Sequence, residues 1–171
     1  MKLNIPYYSQ YRDIKDKEWQ KRACGLVCLK MILDFHQNRE GSTPTTSVDL
    51  DGLLEIALKK ESFGKSGWIH DKLLELAKDF GLSAYRKEEM QNEDELKDFL
   101  DSGNPTIVSI KAKRFAPEFE NKFHQIVLTG YDKNGFYYND SDYQDESGKD
   151  LFVDTKTFQK YWRKMAIFVH K

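Results

Sequence analysis

The sequence predicts an α+β fold with an antiparallel sheet, because helical patterns fill its first half and strand patterns most of its second half. Before Pro105, apolar residues recur at the three- and four-residue spacing of amphipathic helices. After Pro105, four short runs are rich in β-branched and aromatic residues, as strands are: "TIVSIKA", "HQIVLTGY", "GFYYND" and "MAIFVH". Because helices do not alternate regularly with these strands, antiparallel pairing is expected.

Five segments carry helical patterns, and they span residues 24–35, 48–60, 68–80, 92–101 and 154–164. In the first, the apolar face consists of Val27, Cys28, Met31, Ile32 and Phe35. Gly81 is expected to end the third helix, Asn92 to cap the fourth, and Asp154 or Thr155 to cap the fifth.

Two stretches rich in turn-forming residues connect these segments. Asn134-Gly135 in "YDKNGF" predicts a hairpin turn. The run "NREGSTPTTS" (38–47) is typical of a surface loop rather than a domain boundary. No low-complexity linker divides the chain, so we predict a single domain over residues 1–171.

Composition and charge exclude several classes of partner. The 27 Lys and Arg residues nearly balance the 28 Asp and Glu residues, and the net charge of −1 gives no field that would gather nucleic acid or an anionic membrane. No apolar run approaches the ~20 residues of a membrane span, and no signal peptide is seen, so a soluble cytoplasmic protein is expected. Length and charge leave the oligomeric state open.

Cys24 and Cys28 are expected to be free thiols. Residues four apart on a helix hold their Cβ atoms about 5–6 Å apart, whereas a disulfide needs about 3.8 Å. Cys24 stands at the predicted start of its helix, where unpaired N–H groups and the helix dipole favour a thiolate, and Gly25 leaves room for a ligand to approach. Cys28 shares the face of Ile32 and Phe35 and is expected to be a buried apolar residue.

A thiol nucleophile needs a base and a group that orients the base. His124 opens the predicted strand in "FHQIVLTGYD", and "GFYYND" delivers Asn139 and Asp140 at the end of the next strand. Two paired strands can therefore present His124 and Asp140 side by side.

The blocks "IPYYSQ", "ACGLVCLKMIL", "FHQIVLTGYD" and "GFYYND" resemble, in this order, the four blocks of papain-like cysteine peptidases. Their likeness is greatest to stand-alone relatives of the bacteriocin-processing peptidases, which cut after a double-glycine leader. The resemblance implies a papain-like fold in which a helical half with the nucleophile helix packs on an antiparallel sheet half. Leu26 and Ser141 depart from it, since these relatives often have proline at both positions.

The resemblance also implies a role for each matching residue. Cys24 would be the nucleophile, His124 the general base and acid, Asp140 the group that orients the imidazole, and Gln10 the side-chain donor to the oxyanion. Gln20 competes for the last role, because it lies only four residues before Cys24. Gln10 is preferred, since "IPYYSQ" matches the family block.

The function predicted from these residues is hydrolysis of a peptide or isopeptide bond without a cofactor. The expected partner is a peptide or protein substrate, with small residues before the scissile bond. Two alternatives remain open: an acyl transferase or glutamine deamidase that uses the same triad, and a catalytically inactive domain that only binds peptide.

Two further patterns lack a residue that their ligand would require. In "FGKSGW" (63–68), the Gly-Lys-Ser triplet is preceded by Lys59 where a phosphate-binding loop needs glycine. In the carboxylate-rich stretch 139–150, Asp145 stands where an EF-hand needs glycine. A zinc site that includes Cys24 and Cys28 is disfavoured because the two cysteines share one helix face. No metal site is therefore expected.

Overall fold

The computed structural model describes residues 1–39 and 48–171. Within these ranges the α-helices are α1 (Lys17–Gln20), α2 (Cys24–Gln37), α3 (Leu50–Lys59), α4 (His70–Asp79), α5 (Asp94–Asp101) and α6 (Thr155–Tyr161). The strands are β1 (Phe63–Gly64), β2 (Gly67–Trp68), β3 (Ser83–Lys87), β4 (Thr106–Ala112), β5 (Glu120–Tyr131), β6 (Gly135–Asn139), β7 (Leu151–Asp154) and β8 (Trp162–His170). Most of the predicted surface loop, residues 40–47, lies outside the described residues.

The predicted antiparallel sheet is confirmed. Six strands pair in the order β3-β8-β4-β5-β6-β7, and each pair is antiparallel. β1 and β2 form a separate small hairpin. The predicted hairpin turn joins β5 to β6, where the Asp132 carboxylate accepts the backbone N–H groups of Asn134 and Gly135.

Helices cover both faces of the large sheet, which explains why β4 is buried almost throughout and β5 is buried from residue 124 to residue 130. On one face, α2, α3 and α4 pack with Ile107, Val127 and Ile167. On the other face, α5 and α6 pack with the neighbouring residues of the same strands, among them Val108 and Ile126. The helical half is therefore concentrated on one face, and the sheet half carries two helices of its own.

The predicted cap at Asp154 is confirmed, whereas the N-cap position of α5 is held by Glu93 and Asn92 lies one residue before it. Asn92 accepts the N–H of Asp94 at the start of α5, and Asp154 accepts the N–H of Thr157 at the start of α6. Gly81 follows α4 with φ of +80°, a conformation that glycine adopts at little cost.

The predicted helix over 154–164 is wrong in its last turn. α6 ends at Tyr161, and Trp162 begins β8 with extended backbone angles. Trp162 still stacks on Phe158, with ring centroids 5.4 Å apart, but its backbone pairs with Ile110 of β4. The backbone groups of Trp162 are satisfied by pairing within the sheet and not by another helical turn. The aromatic residues therefore keep a helical spacing in the sequence although the helix has already ended.

Candidate active site

Cys24 is the first residue of α2, and its position agrees with the sequence prediction. Ala23, at the N-cap position, provides no side-chain acceptor. The N–H groups of the first turn therefore remain available to a ligand at the end of the helix. Cys24 is partly exposed, whereas Cys28 one turn later is buried. The Cys28 thiol donates to the backbone carbonyl of Gln125 over 3.4 Å. Both cysteines are free thiols, as expected.

His124 and Asp140 lie side by side, as the strand pattern predicts. His124 is on β5, and Asp140 directly follows the neighbouring strand β6. The Nε2–H of His124 donates to Oδ1 of Asp140 over 2.6 Å, and both side chains are buried. The backbone N–H of Asp142 donates to the same oxygen over 2.9 Å. The carboxylate is therefore held in place by its own loop as well as by the imidazole.

The Cys24 thiol completes this arrangement from the opposite side of the imidazole. Its side chain hydrogen-bonds to the side chain of His124. Because Nε2 of His124 is bonded to Asp140, Nδ1 is the nitrogen left for Cys24. A thiol, an imidazole and a carboxylate thus form one hydrogen-bonded series, supplied by α2, β5 and the end of β6.

The charges in this series favour an ion pair of thiolate and imidazolium. Burial opposes the charged forms, but the Asp140 carboxylate and the hydrogen bonds to Asp140 and Cys24 outweigh it and raise the pKa of His124 to about 10. Burial likewise opposes the Cys24 thiolate, yet the hydrogen bond and charge of His124 lower the pKa of the Cys24 thiol below its ordinary value. At Cys28, burial raises the pKa of the thiol well above that value. The two cysteines are therefore opposite in reactivity.

The two glutamines considered for the oxyanion differ in how their amide hydrogens are used. Nε2 of Gln20 donates to the carbonyls of Tyr11 and Ile14, over 3.0 and 2.8 Å, which occupies both of its hydrogens. Nε2 of Gln10 donates to the carbonyl of Gln20 over 2.7 Å and keeps one hydrogen. Ser141, which stands where relatives often have proline, donates its hydroxyl to Oε1 of Gln10 over 2.9 Å.

These bonds place Gln10 next to the segment that follows Asp140. Across residues 1–39 and 48–171, no hydrogen bond joins Gln10 or Gln20 to Cys24. The geometry favours Gln10 over Gln20 as a donor, because only Gln10 has an uncommitted amide hydrogen.

A cleft opens beside Cys24 and His124. Its lining consists of Lys21, Arg22, Cys24, Phe63, Ser66, Gly67, Trp68, His70, Ser109, Phe123, His124, Gln125 and Arg163. One wall carries Phe63 and Trp68, which pack with Trp19 in an aromatic cluster whose ring centroids lie 5.0 to 5.9 Å apart. The indole N–H of Trp68 donates to the carbonyl of Arg22 over 2.7 Å, which fixes the wall to the segment just before Cys24.

Gln125 covers Gly25 at the floor of the cleft. Nε2 of Gln125 lies 3.0 Å from Nε2 of His70, the first residue of α4. Burial and the charges of Arg86 and Arg163 lower the pKa of His70 below its ordinary value. The neutral ring can therefore accept the amide hydrogen of Gln125. A Cβ atom on Gly25 would lie 2.1 Å from Oε1 of Gln125, so the amide occupies the space that glycine leaves.

This contact predicts a coupling between positions 25 and 125. In a Gln125→Ala background, Gly25→Ala should recover part of the about 0.5–1 kcal/mol by which alanine is the better helix former, the rest being opposed by Trp68 Cδ1, which lies 3.2 Å from the new Cβ. In the native background the same change should lose that gain, since the new methyl group displaces the Gln125 amide. Urea unfolding of the four proteins in the double-mutant cycle measures the difference. Equal effects in both backgrounds would contradict the contact.

Sequence reasoning assigned no role in the cleft to most of its lining residues, including His70, Gln125 and Arg163. A signal existed for Gln125, because it is a polar residue between His124 and the apolar run 126–128. His70 opens a helix, and Arg163 reaches the cleft through the pairing of β8 with β4. Neither position has a local pattern that would have indicated it.

A thiol at the tip of a helix, facing an imidazole and carboxylate on a sheet, defines the papain-like cysteine peptidase class of fold. The chain belongs to the Peptidase_C39 like family, whose model matches residues 2–167. A comparison with curated protein sequences gives no match.

Solved structures share the fold over nearly the whole chain. A Bacillus anthracis protein described as a C39-like peptidase has 22% identity and a TM-score of 0.68, covering 100% of this chain and 98% of that one. A double-glycine motif protease from an AMS/PCAT transporter, solved in complex with the leader peptide, has 17% identity and a TM-score of 0.60, covering 99% and 94%. The peptidase domain of Streptococcus ComA has 21% identity and a TM-score of 0.58, covering 88% and 92%.

The described residues contain neither a membrane-spanning helix nor a cluster of metal-binding side chains. In the part of the chain that the structure describes, no helix has the length and apolar character needed to cross a membrane. Over the same residues, no group of three or more His, Cys, Asp and Glu side chains is placed to hold a metal ion.

Proposed function

We propose that this protein is a cysteine peptidase that hydrolyses a peptide bond through Cys24, His124 and Asp140. The observation that carries the proposal is the hydrogen-bonded series from the Cys24 thiol through His124 to Asp140, with 2.6 Å between His124 Nε2 and Asp140 Oδ1. Family membership supports the same chemistry. The side chains supply a nucleophile, a proton carrier and an orienting group, so no cofactor is required.

His124 transfers a proton in each of the two steps of the proposed reaction. The Cys24 thiolate attacks the carbonyl carbon, and the imidazolium protonates the leaving amine as the C–N bond breaks. His124, now neutral, removes a proton from water, which attacks the thioester and releases the acid. Asp140 keeps the ring in position and stabilises its charge in both steps.

Two donors are proposed for the negative oxygen that forms on attack. The backbone N–H of Cys24 lies at the first position of α2, where a helix leaves its N–H groups without an intrahelical acceptor. The uncommitted amide hydrogen of Gln10 would supply the second bond, after a movement that brings it toward Cys24. The hydroxyl of Ser141 holds the amide oxygen of Gln10 and so orients the amide.

The proposed substrate is a peptide with small residues before the scissile bond. The resemblance to double-glycine leader peptidases suggests it, and the crowding around Gly25 supports it. Gln125 and Trp68 both lie within contact distance of the space above Gly25, which leaves little room for a large side chain beside the nucleophile.

Product analysis in H₂¹⁸O tests hydrolysis against the two other uses of the same thiol. The full chain is incubated with a panel of peptides that contain a Gly-Gly pair, with and without an added amine, and the products are weighed by mass spectrometry. Hydrolysis predicts two fragments, with one ¹⁸O in the new carboxyl group. An amine adduct without hydrolysis would indicate a transferase, and ammonia release from intact peptide would indicate a deamidase. Either result alone would contradict the proposal.

Replacing Gln10 separates oxyanion binding from thiol activation. Gln10→Ala should lower kcat by about 10²–10³-fold, as loss of one oxyanion donor does, while the rate of Cys24 alkylation by iodoacetamide changes little, since alkylation forms no oxyanion. Gln20→Ala is the matched comparison and should lower kcat much less, because its amide bonds only backbone carbonyls. A larger kcat loss in Gln20→Ala than in Gln10→Ala would reverse the assignment.

A further inference from the structure

Three cationic side chains of the cleft have no anionic partner among the residues that the structure describes. Lys21, Arg22 and Arg163 line the cleft and are exposed. Over the described ranges none of the three forms an ion pair, although many other surface cations do, such as Arg12 with Glu146 and Lys60 with Asp79. The described lining of the cleft also contains no Asp or Glu side chain. The overall net charge is −1, so this positive charge is a local property of the cleft.

Arg163 is held in a defined position on the floor of the cleft. Its Nη1 donates to the hydroxyl of Ser109 over 3.2 Å, and its guanidinium lies 4.1 Å from the ring centroid of Phe123. Ser109 is paired with Gln125 across β4 and β5. Arg163, Ser109 and Gln125 therefore form a polar row on the sheet, which ends at Gly25 beside the nucleophile.

This arrangement leaves the guanidinium ready to bind an anion. One of its five N–H donors is committed to Ser109, and the other four have no partner among the residues described. Stacking on an exposed aromatic ring restricts the side chain before any ligand arrives, which lowers the entropy cost of binding. The lowered pKa of His70, to which Arg163 contributes, is a second sign of positive potential in the cleft.

Lys21 and Arg22 approach from the other wall and immediately precede the Ala23-Cys24 pair. The Trp68 indole, itself packed among Trp19 and Phe63, fixes the backbone at Arg22. An anion near the nucleophile would thus meet positive charge both from the segment before Cys24 and from Arg163 on the sheet. A carboxylate is the anionic group that a peptide substrate carries, and it matches the planar donor pair of an arginine.

We propose that the substrate carries a carboxylate close to the scissile bond and that Arg163 binds it, with Lys21 and Arg22 as supporting cations. This inference names the substrate class of the proposed peptidase and rests on that function. The carboxylate has two possible sources, an Asp or Glu side chain near the cut and the free C-terminus of a short peptide.

A matched peptide panel tests the inference and distinguishes the two sources. Each peptide contains a Gly-Gly pair before the scissile bond, with Glu, Gln or Lys placed at the third residue before the bond or at one of the three residues after it. A second set compares free and amidated C-termini one, two or three residues after the scissile bond. For at least one site we expect the carboxylate peptide to exceed its neutral partner by about 5- to 50-fold in kcat/KM, with the preference weakened by 0.5 M NaCl.

Variants then assign the preference to Arg163. Arg163→Gln should abolish most of it, and Arg163→Glu should turn it toward the Lys peptide. Arg39→Gln is the matched control, because Arg39 lies beyond the far end of α2 and bonds to the carbonyl of Gly103. A preference retained in Arg163→Gln, or absent from the native protein while peptides are cleaved, would overturn the inference and leave the peptidase proposal standing.

Binding to the Cys24→Ala protein keeps the two proposals separable. Fluorescence anisotropy of labelled Glu and Gln peptides reports recognition without cleavage. If the native protein cleaves nothing but Cys24→Ala binds the Glu peptide at least fivefold more tightly, carboxylate recognition is supported and the peptidase proposal fails. If neither cleavage nor binding distinguishes the peptides, carboxylate recognition is overturned.

Discussion

Replacing Cys24 with alanine is expected to lower peptide hydrolysis by about 10⁴–10⁶-fold, the usual consequence of removing a catalytic nucleophile. The fold should persist, because Cys24 is partly exposed at the first residue of α2 and contributes little to either core. Steady-state rates with a cleavable Gly-Gly peptide measure the loss, and circular dichroism verifies the fold. Activity that survives in Cys24→Ala would falsify the assignment of the nucleophile.

Cys28→Ala is the control that the chain provides for this experiment. Cys28 lies one turn along the same helix, is buried, and has a thiol pKa raised by burial. Its replacement removes a buried sulfur and should cost about 1–2 kcal/mol of stability, with kcat changed by less than about threefold, since the reaction does not use it. A comparable loss of activity in both variants would indicate damage to α2 rather than loss of a nucleophile.

Replacing Asp140 is expected to have the second largest effect. Asp140→Ala removes the acceptor that holds His124 Nε2–H at 2.6 Å and should lower kcat/KM by about 10³–10⁴-fold. Asp140→Asn keeps an oxygen at the same place and should be less harmful. A pair of rate measurements separates the two contributions, because asparagine preserves the hydrogen bond and removes only the charge. Equal losses in both variants would contradict a contribution from the hydrogen bond that the side-chain oxygen at position 140 accepts from His124.

The charge of Asp140 also sets the pH range of activity. The carboxylate raises the pKa of His124, so Asp140→Asn should move the basic limb of the pH profile to lower pH. Because the protonated ring of His124 is then less stable, it stabilises the Cys24 thiolate less. The pKa of the Cys24 thiol should therefore rise, and the acid limb should move to higher pH. The profile of kcat/KM against pH should therefore narrow from both sides. An unchanged profile would mean that the two limbs report other groups.

Local patterns predicted the elements that local forces determine. The helix that begins at Cys24, the hairpin after Tyr131 and the cap at Asp154 depend on neighbouring residues and are confirmed. Strand β3 was missed because most of its side chains are exposed, which leaves no apolar alternation. It forms by pairing with β8, a partner more than 75 residues away in the chain.

Residues of the candidate site could be predicted where a local sequence pattern determines their position. They could not be predicted where the pairing of distant segments determines it. Cys24 begins α2 and Asp140 directly follows β6, as their patterns predict, and the structure brings both together with His124. His124 was expected to open its strand, but β5 begins four residues earlier, at Glu120. Arg163 reaches the cleft because β8 pairs with β4 and is irregular near Ile110. The difference between Gln10 and Gln20 depends on which backbone carbonyls their amides meet, and spacing in the sequence carries no information on that.

The central claim is that Cys24 is an activated thiolate paired with His124, and its alkylation rate measures this most directly. Native protein is treated with iodoacetamide from pH 5 to pH 10, labelled sites are assigned by mass spectrometry, and His124→Ala serves as the control. An ordinary thiol with a pKa near 9.0 is only about 0.1% ionised at pH 6. We predict Cys24 labelling at pH 6 within about tenfold of its rate at pH 8, its loss in His124→Ala, and no labelling of Cys28. A Cys24 rate that falls about 100-fold between pH 8 and pH 6, as for an unperturbed thiol, would contradict the account.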